Sequence, residues 1–543
     1  MITESLSDDV LLNVFSHYLY ASPHFWPTLT HVCRRWRQII LRSPLGLHLR
    51  LFCTHGRPVL KTLDCWPAFP IIVQYGGAPN LCPPATEDDD NIIAALKQSG
   101  RVTSISLTAT RSLVEKLSAI SEPFSDLEEL SLLSRDDLQV TLPGTFRWGP
   151  RLHTLHSTRI AFVSFPQLLL PSQNLVDLQL HEIPSTGYFP PEAFANALSG
   201  MTQLRTLSLH FLSLPPRRRY LSLPSPSGER IVLPALTRLE YRGTSKYLDS
   251  FVARIDAPCL GDIDITFFSQ PTMDASQLGR FIERIEMQTF LRRAEVRTSA
   301  HAISISFTNS STSTPLQLQI SCRQLDWQLS CMTQVCHQFS PFLFRVAELS
   351  LNMTESSSGQ NEVSGEQWLE LIRSFNGARS FRVADQHTTD ILGALGRADA
   401  GHTAVLPALR YLHVEDSMKM NGQSWDALLL FITSRSVSGR PVQANMALHQ
   451  CNICHATFRE KAGLERHLID KHGYRGMCSY CADFECGRGF FDNGRFRQHL
   501  ISKHFEVTRD DPLILKTSVT PSSLYRWHST LRAPDYRRTL PQP

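Results

Sequence analysis

One spacing of apolar residues constrains this chain more than any other feature. Val102-x-x-Ile105-x-Leu107, Leu127-x-x-Leu130-x-Leu132, Leu152-x-x-Leu155, Leu175-x-x-Leu178-x-Leu180 and Leu204-x-x-Leu207-x-Leu209 follow one another. Leu236-x-x-Leu239-x-Tyr241, Leu260-x-x-Ile263-x-Ile265, Val346-x-x-Leu349-x-Leu351 and Leu409-x-x-Leu412-x-Val414 continue the series. The first seven units start 25, 25, 23, 29, 32 and 24 residues apart. A period of two marks a short strand with one buried face. A unit this small cannot enclose a core alone, so units must stack and share one apolar interior. The expected product is a parallel ladder of strands with return segments, curved into an arc whose concave face carries the variable positions. At 543 residues the chain also exceeds the ~250–300 residues that one compact core serves, which suits an elongated array with appendages.

The spacing resembles that of leucine-rich repeats. The Asn that such repeats place after the last Leu is missing from nearly every unit, and "LPPRRRYLSLPSPSGER" stretches one of them. Between about residues 270 and 340 the repeat cannot be followed, although "AISISF" and "LQLQI" keep strand alternation. The expected class is α/β, with an irregular leucine-rich-repeat-like solenoid over 51–434 and a polar linker over 435–447. "CMTQVCH" holds Cys331, Cys336 and His337 without a second ligand pair nearby, so buried thiols are expected there. "PPRRRY" reads as a solvated insertion, and "MTESSSGQNEVSGEQ" as a polar loop. The sequence has no Gly-x-Ser-x-Gly, no P-loop and no Gly-rich strand-to-helix turn, which argues against enzymatic activity within the chain.

Residues 1–50 have a different period. "LSDDVLLNVFSHYL" spaces Leu6, Val10, Val14 and Phe15 for a helix, with Ser7 as N-cap and Asp8 and Asp9 where the helix dipole favours negative charge. In "WPTLTHVCRRWRQIILRSP" a second helix is expected, its apolar stripe formed by Trp26, Leu29, Val32, Cys33, Trp36, Ile39 and Ile40. Together these segments resemble an F-box, whose pattern is Leu-Pro-x-Glu-Leu-x-x-x-Ile-Phe followed by Val-Cys-Arg-x-Trp. Ser7 stands where that family usually has Pro, and Asp9 where it has Glu. The following "LRLFCTHGRPVLKTLDCWPAFPIIVQYGG" is similar to the segment after the F-box in many basidiomycete F-box proteins. The resemblance implies helices that dock on the small adaptor subunit of SCF (cullin-RING) ubiquitin ligases. Leu6, Val10, Leu11, Val14, Phe15, Val32 and Trp36 are then the candidate contacts, some of which must instead pack internally.

The C-terminal region has a third grammar. Cys451-x2-Cys454-x12-His467-x4-His472, with Phe458 and Leu464 at the interior apolar positions, is the pattern of a ββα zinc finger. Two thiolates from a turn and two imidazoles from one helix face give Zn2+ four tetrahedral ligands and leave no open position for catalysis. A second copy over 475–505 reads as Cys481-x4-Cys486-x12-His499-x4-His504, with Phe490 and Phe496 at the same interior offsets. A competing register takes Cys478 and Cys481 as the thiolates. Two zinc ions are expected in fingers spanning 448–474 and 475–505. Base-reading positions, counted back from the first His, are Glu460, Gly463 and Arg466 in one finger and Asp492, Arg495 and Gln498 in the other, a poor set for base recognition. The tail over 506–543 has no periodicity and is expected to be disordered.

Composition sets limits on partners. A formal net charge of +4 is too small for so long a chain to imply nucleic-acid or membrane binding by charge alone. "MITESLSDDV" lacks the basic start and apolar run of a secretory signal, and an intracellular protein, nuclear or cytoplasmic, is expected. Of the 13 cysteines, five crowd between Cys451 and Cys486 while the rest are scattered without the spacing of a disulfide framework. The expectation is therefore a non-catalytic, zinc-binding subunit that recruits a protein substrate to the ligase scaffold. The rival is a zinc-finger nucleic-acid-binding regulator with a scaffold-like front part.

Overall fold

The computed structural model describes residues 6–446 apart from 23–24, 45, 54–58, 66–68, 76–85, 135–139, 215–229, 286–290, 309–315, 354–363, 385–387, 401–404 and 416–421. Beyond 446 it describes the short strands 449–450, 457–458, 476–477 and 489–490.

Each apolar unit contributes one strand to one large sheet. In chain order its strands are β1 (Leu51–Cys53), β2 (Ile71–Tyr75), β3 (Val102–Ala109), β4 (Glu129–Ser134), β5 (Thr154–Thr158), β6 (Asp177–Ile183), β7 (Thr206–Phe211) and β8 (Arg238–Gly243). They continue with β9 (Asp262–Phe268), β10 (Arg293–Thr298), β11 (Ala302–Thr308), β12 (Leu316–Ser321), β13 (Glu348–Met353), β14 (Ser380–Ala384), β15 (Tyr411–Glu415) and β16 (Gln443–Met446). The spatial order runs β1 to β9, then β12, β11, β10, then β13 to β16. Among the described residues every neighbouring pair is parallel except β10 with β11 and β11 with β12.

The register explains why the spacing folds this way. Leu130, Leu155, Leu178, Leu207, Leu239 and Ile263 pair in one continuous row across β4 to β9, each at most 1% exposed. Burying such a side chain contributes roughly 1.5–3 kcal/mol, so slipping one strand by a residue would turn its whole apolar set outward. From Leu127 onward the first apolar residue of each unit sits buried at the corner before the strand. A backbone bond repeats at that corner: His153 N–H to the Glu128 carbonyl, Val176 to His153 and Arg205 to Val176, each 2.8 Å.

The untracked stretch is an antiparallel excursion. From β9 the chain passes through a helix (Ser276–Arg284), enters the sheet three places away as β10, and returns through β11 and β12 to lie beside β9. The turn from β10 to β11 is a short polar one in which the Ser299 hydroxyl accepts the Ala302 N–H at 3.1 Å. It needs no apolar corner, so the spacing is lost at β11, while β10 keeps a buried corner at Leu291 with Ala294 in place of the second Leu. Cys331 and Cys336, on the helix Leu325–Gln338 that follows, are buried thiols, and burial pushes Cys336 up to about 12.

Two expectations about the chain are corrected. The segment after Ala21 forms two helices, not one. After α1 (Asp8–Ala21), α2 covers Trp26–Thr30 and α3 covers Arg34–Arg42. Cys33 takes extended backbone between them and its sulfur accepts the Trp36 N–H, capping α3. Val32 therefore leaves the anticipated apolar stripe and is exposed. The second correction concerns the expected linker over 435–447, which as far as Met446 is part of the sheet domain. Arg435 lies in the helix Gly422–Val437, and β16 adds a further parallel strand to β15. The sequence misleads here because an arginine reads as solvated. Arg435 is fully buried, its guanidinium paired with Asp399 at 2.5 Å, donating to the Val405 and Leu406 carbonyls and lying 5.3 Å from the Phe431 ring centroid.

The "PPRRRY" insertion, the polar stretch over 354–363, the zinc-ligand positions and the tail over 506–543 lie outside the described residues. Among the described residues no helix is long and apolar enough to cross a membrane.

Candidate binding surfaces

Strand alternation leaves one face of the sheet polar. Over β5 to β8 that face carries His156; Asp177, Gln179 and His181; Thr206, Ser208 and His210; and Arg238, Glu240 and Arg242. Their contacts converge on the Ser208 hydroxyl. His181 Nε2 lies 2.9 Å from it, His210 Nε2 3.3 Å, and it donates to Glu240 Oε2 at 3.1 Å. The two imidazoles stack at 4.5 Å between centroids with 10° between planes. Glu240 uses its other oxygen, Oε1, to hold Arg238. Beside this group His156 Nε2 meets Asp177 Oδ2 at 2.9 Å.

The backbone is irregular at this point. Between the pairs Leu180↔Leu209 and Ile183↔Phe211, two residues of β6, His181 and Glu182, oppose the single residue His210. This is a β-bulge. Glu182 adopts φ 51°, and its carboxylate is held by Arg159, itself at φ 61°. A left-handed backbone costs such residues free energy, and the ion pair helps hold both in place.

Charge states follow from the surroundings. Burial, then the neighbouring His181, pushes His210 down to about 4, and burial lowers His181 as well. Burial pushes the Glu240 carboxyl up, but hydrogen bonds from Arg238 and Ser208 outweigh it and leave it below its ordinary value. At neutral pH the group consists of two neutral imidazoles and one carboxylate. The sequence did hold a signal for this group: "LVDLQLH" and "LRTLSLH" place His at the same position of consecutive units.

The helical end offers a second surface, and the structure divides the candidate contacts. Leu11 and Phe15 are buried inside the chain, together with Leu19, so these two are not available to a partner. Phe15 packs edge-on against Trp36 at 4.8 Å, and Trp36 and Leu6 are partly buried against the same core. Val10, Val14 and Tyr18, spaced every four residues on the opposite face of α1, are 43%, 51% and 43% exposed. Val32 is exposed beyond them. Ser7 caps α1 as expected, accepting the Val10 N–H, and Asp8 pairs with Arg35 of α3 at 2.7 Å. Trp26 ties the module to the sheet through a 2.6 Å bond from its indole N–H to the Arg50 carbonyl, next to β1.

At the C-terminal end the described strands form two antiparallel pairs. His449–Gln450 pairs with Thr457–Phe458, and Gly476–Met477 pairs with Gly489–Phe490. In the first pair the leading strand ends one residue before Cys451; in the second it ends one residue before Cys478.

No protein family and no curated protein matches this chain. Among solved structures it is similar to the leucine-rich repeat-containing protein LegL7 from Legionella pneumophila, at 11% identity over 70% of this chain and 97% of that one. The TM-score is 0.25.

Proposed function

We propose that the chain is a non-catalytic, zinc-binding recognition subunit of an SCF-type ubiquitin ligase. Its N-terminal helices dock on the adaptor that joins it to the cullin scaffold, and its polar sheet face takes a substrate protein. The observation that carries this reading is the exposed row Val10, Val14 and Tyr18 on a helix whose other face is fully occupied. Apolar side chains four residues apart on one helix face form a continuous strip that a facing groove can cover. The F-box resemblance falls on the same helix. Recruitment without chemistry would act by raising the substrate's effective concentration at the transferring enzyme.

In this reading the C-terminal strand pairs belong to two Cys2His2 fingers. The ligands of the first are Cys451, Cys454, His467 and His472. In the second they are Cys481, Cys486, His499 and His504, since Cys486 precedes Phe490 by the same four residues as Cys454 precedes Phe458. The competing register takes Cys478, which follows its leading strand as Cys451 does, in place of Cys486. His499 and His504 serve in either register.

Affinity purification of the tagged full-length chain tests the proposal. Adaptor and cullin subunits are expected with wild type and not with Val14→Glu. A chain that recovers neither subunit, or recovers both equally with Val14→Glu, rejects it. Enrichment of a defined sequence in a random DNA selection would instead favour the nucleic-acid-binding rival.

A further inference from the structure

We propose that His181, His210 and Glu240 form a transition-metal site of the Zn2+ class on the polar face of the sheet, separate from the C-terminal fingers. The three residues come from three consecutive strands, β6, β7 and β8. Their ligand atoms all lie within 4.8 Å of one another, with His210 Nε2 to Glu240 Oε2 at 3.9 Å. Metal–ligand bonds of ~2.0–2.2 Å require donors closer together than this, so side-chain rotations must draw the three inward. All three already point at one small group, the Ser208 hydroxyl. An ion entering the group displaces that hydroxyl and takes its place as the common partner.

Donor chemistry sets the class of ion. Two imidazole nitrogens with one carboxylate oxygen suit zinc and its neighbours, whereas calcium and magnesium select all-oxygen sets. Three protein ligands leave a fourth position open, the arrangement of sites that accept a further ligand. Glu240 is oriented for the role, since Arg238 holds Oε1 and leaves Oε2 facing the imidazoles. Support of that kind from behind the ligand is usual at metal centres. The bulge at His181 and Glu182, braced by Arg159, fixes the backbone where His181 is supplied. Because the three residues are half-buried on the open face, the fourth position faces outward. We infer that it takes a ligand atom from a docked partner, or water when none is docked. That last step rests on the sheet face being the recognition surface; metal binding does not.

The test is calorimetric titration of Zn2+ into full-length protein whose tight sites have first been filled with zinc. Wild type is expected to take up one further ion per chain. His181→Ala and Glu240→Gln are each expected to weaken that step by about tenfold or more, and Ser208→Ala to preserve it. Circular dichroism confirms that each variant is folded, and Glu240→Gln, the conservative change, serves if His181→Ala is not. Electron paramagnetic resonance of added Cu2+ gives a second readout: coupling to two nitrogens in wild type, absent in His181→Ala. No further uptake by wild type, or uptake unchanged in folded variants, overturns the site whether or not the chain binds a ligase.

Discussion

The helix Gly422–Val437, before the last strand of the sheet, and α1 both leave apolar residues in solvent, Leu429, Leu430 and Val437 on one and Val10, Val14 and Tyr18 on the other. They place charge in opposite ways. At the β16 end, the helix Gly422–Val437 draws even an arginine inside, and Arg435 meets a buried carboxylate and two backbone carbonyls. In α1 the charged tie, Asp8 to Arg35, lies at the surface. The difference teaches that a buried ion pair locks the helix Gly422–Val437, whereas apolar packing of Leu11, Phe15 and Leu19 holds α1.

Substitutions can break this contrast, and the largest effect is expected at the locked end. Arg435→Met leaves Asp399 buried and unpaired, and such losses cost about 3–5 kcal/mol. Chemical denaturation is expected to show that drop, and a change below ~1 kcal/mol would mean that the buried pair does not hold the helix. On the inward face of α1, Leu11→Ala removes a fully buried side chain and should cost ~2–5 kcal/mol. Ser7→Ala, which removes the cap of α1, should cost ~1 kcal/mol. Val14→Glu, on the outward face of the same helix, should move stability by no more than ~0.5 kcal/mol. Equal losses for Leu11→Ala and Val14→Glu would erase the distinction between the two faces.

A smaller effect lies between the two ends. His210 titrates near 4 in the folded chain against an ordinary 6.5, so the unfolded chain takes up its proton first. The stability this contributes is complete above pH 6.5 and is lost as pH falls toward 4. In chelator-treated protein, His210→Gln is expected to flatten the acid limb of a stability profile across that window. An unchanged limb would assign the acid sensitivity elsewhere. The proposed fingers supply a metal counterpart. Zinc analysis should give two tightly held ions per chain, falling to one with Cys486→Ala; a fall with Cys478→Ala instead would establish the competing register.

The repeating part was legible because one physical rule generates it: Leu130, Leu155, Leu178, Leu207 and Leu239 share a row, so their spacing survives in the sequence. Strands β1 and β2 escaped notice because "LFC" and "IIVQY" lack the apolar corner residue at the expected offset. In the excursion, β11 escaped because antiparallel neighbours turn without such a corner, and β10 because Ala294 stands where the second Leu is expected after the corner residue Leu291. Arg435 escaped because composition cannot tell a neutralised charge from a solvated one. Periodicity located α1 and its cap but could not say which of Val10, Leu11, Val14 and Phe15 faced inward. That division is set by α3, whose Trp36 covers Phe15. The His181, His210 and Glu240 group escaped because it assembles across three units that are 29 and 32 residues apart at their starts.

The central claim is that the outward face of α1 exists to be covered by another protein. Its most direct test measures affinity for the ligase adaptor subunit and thermal unfolding on the same preparations of wild type, Val14→Glu and Tyr18→Glu. The account predicts measurable binding by wild type, at least tenfold weaker binding by each variant, about 1.4 kcal/mol, and superimposable unfolding curves. Adaptor binding that is absent in wild type, or undiminished in both variants, would contradict it.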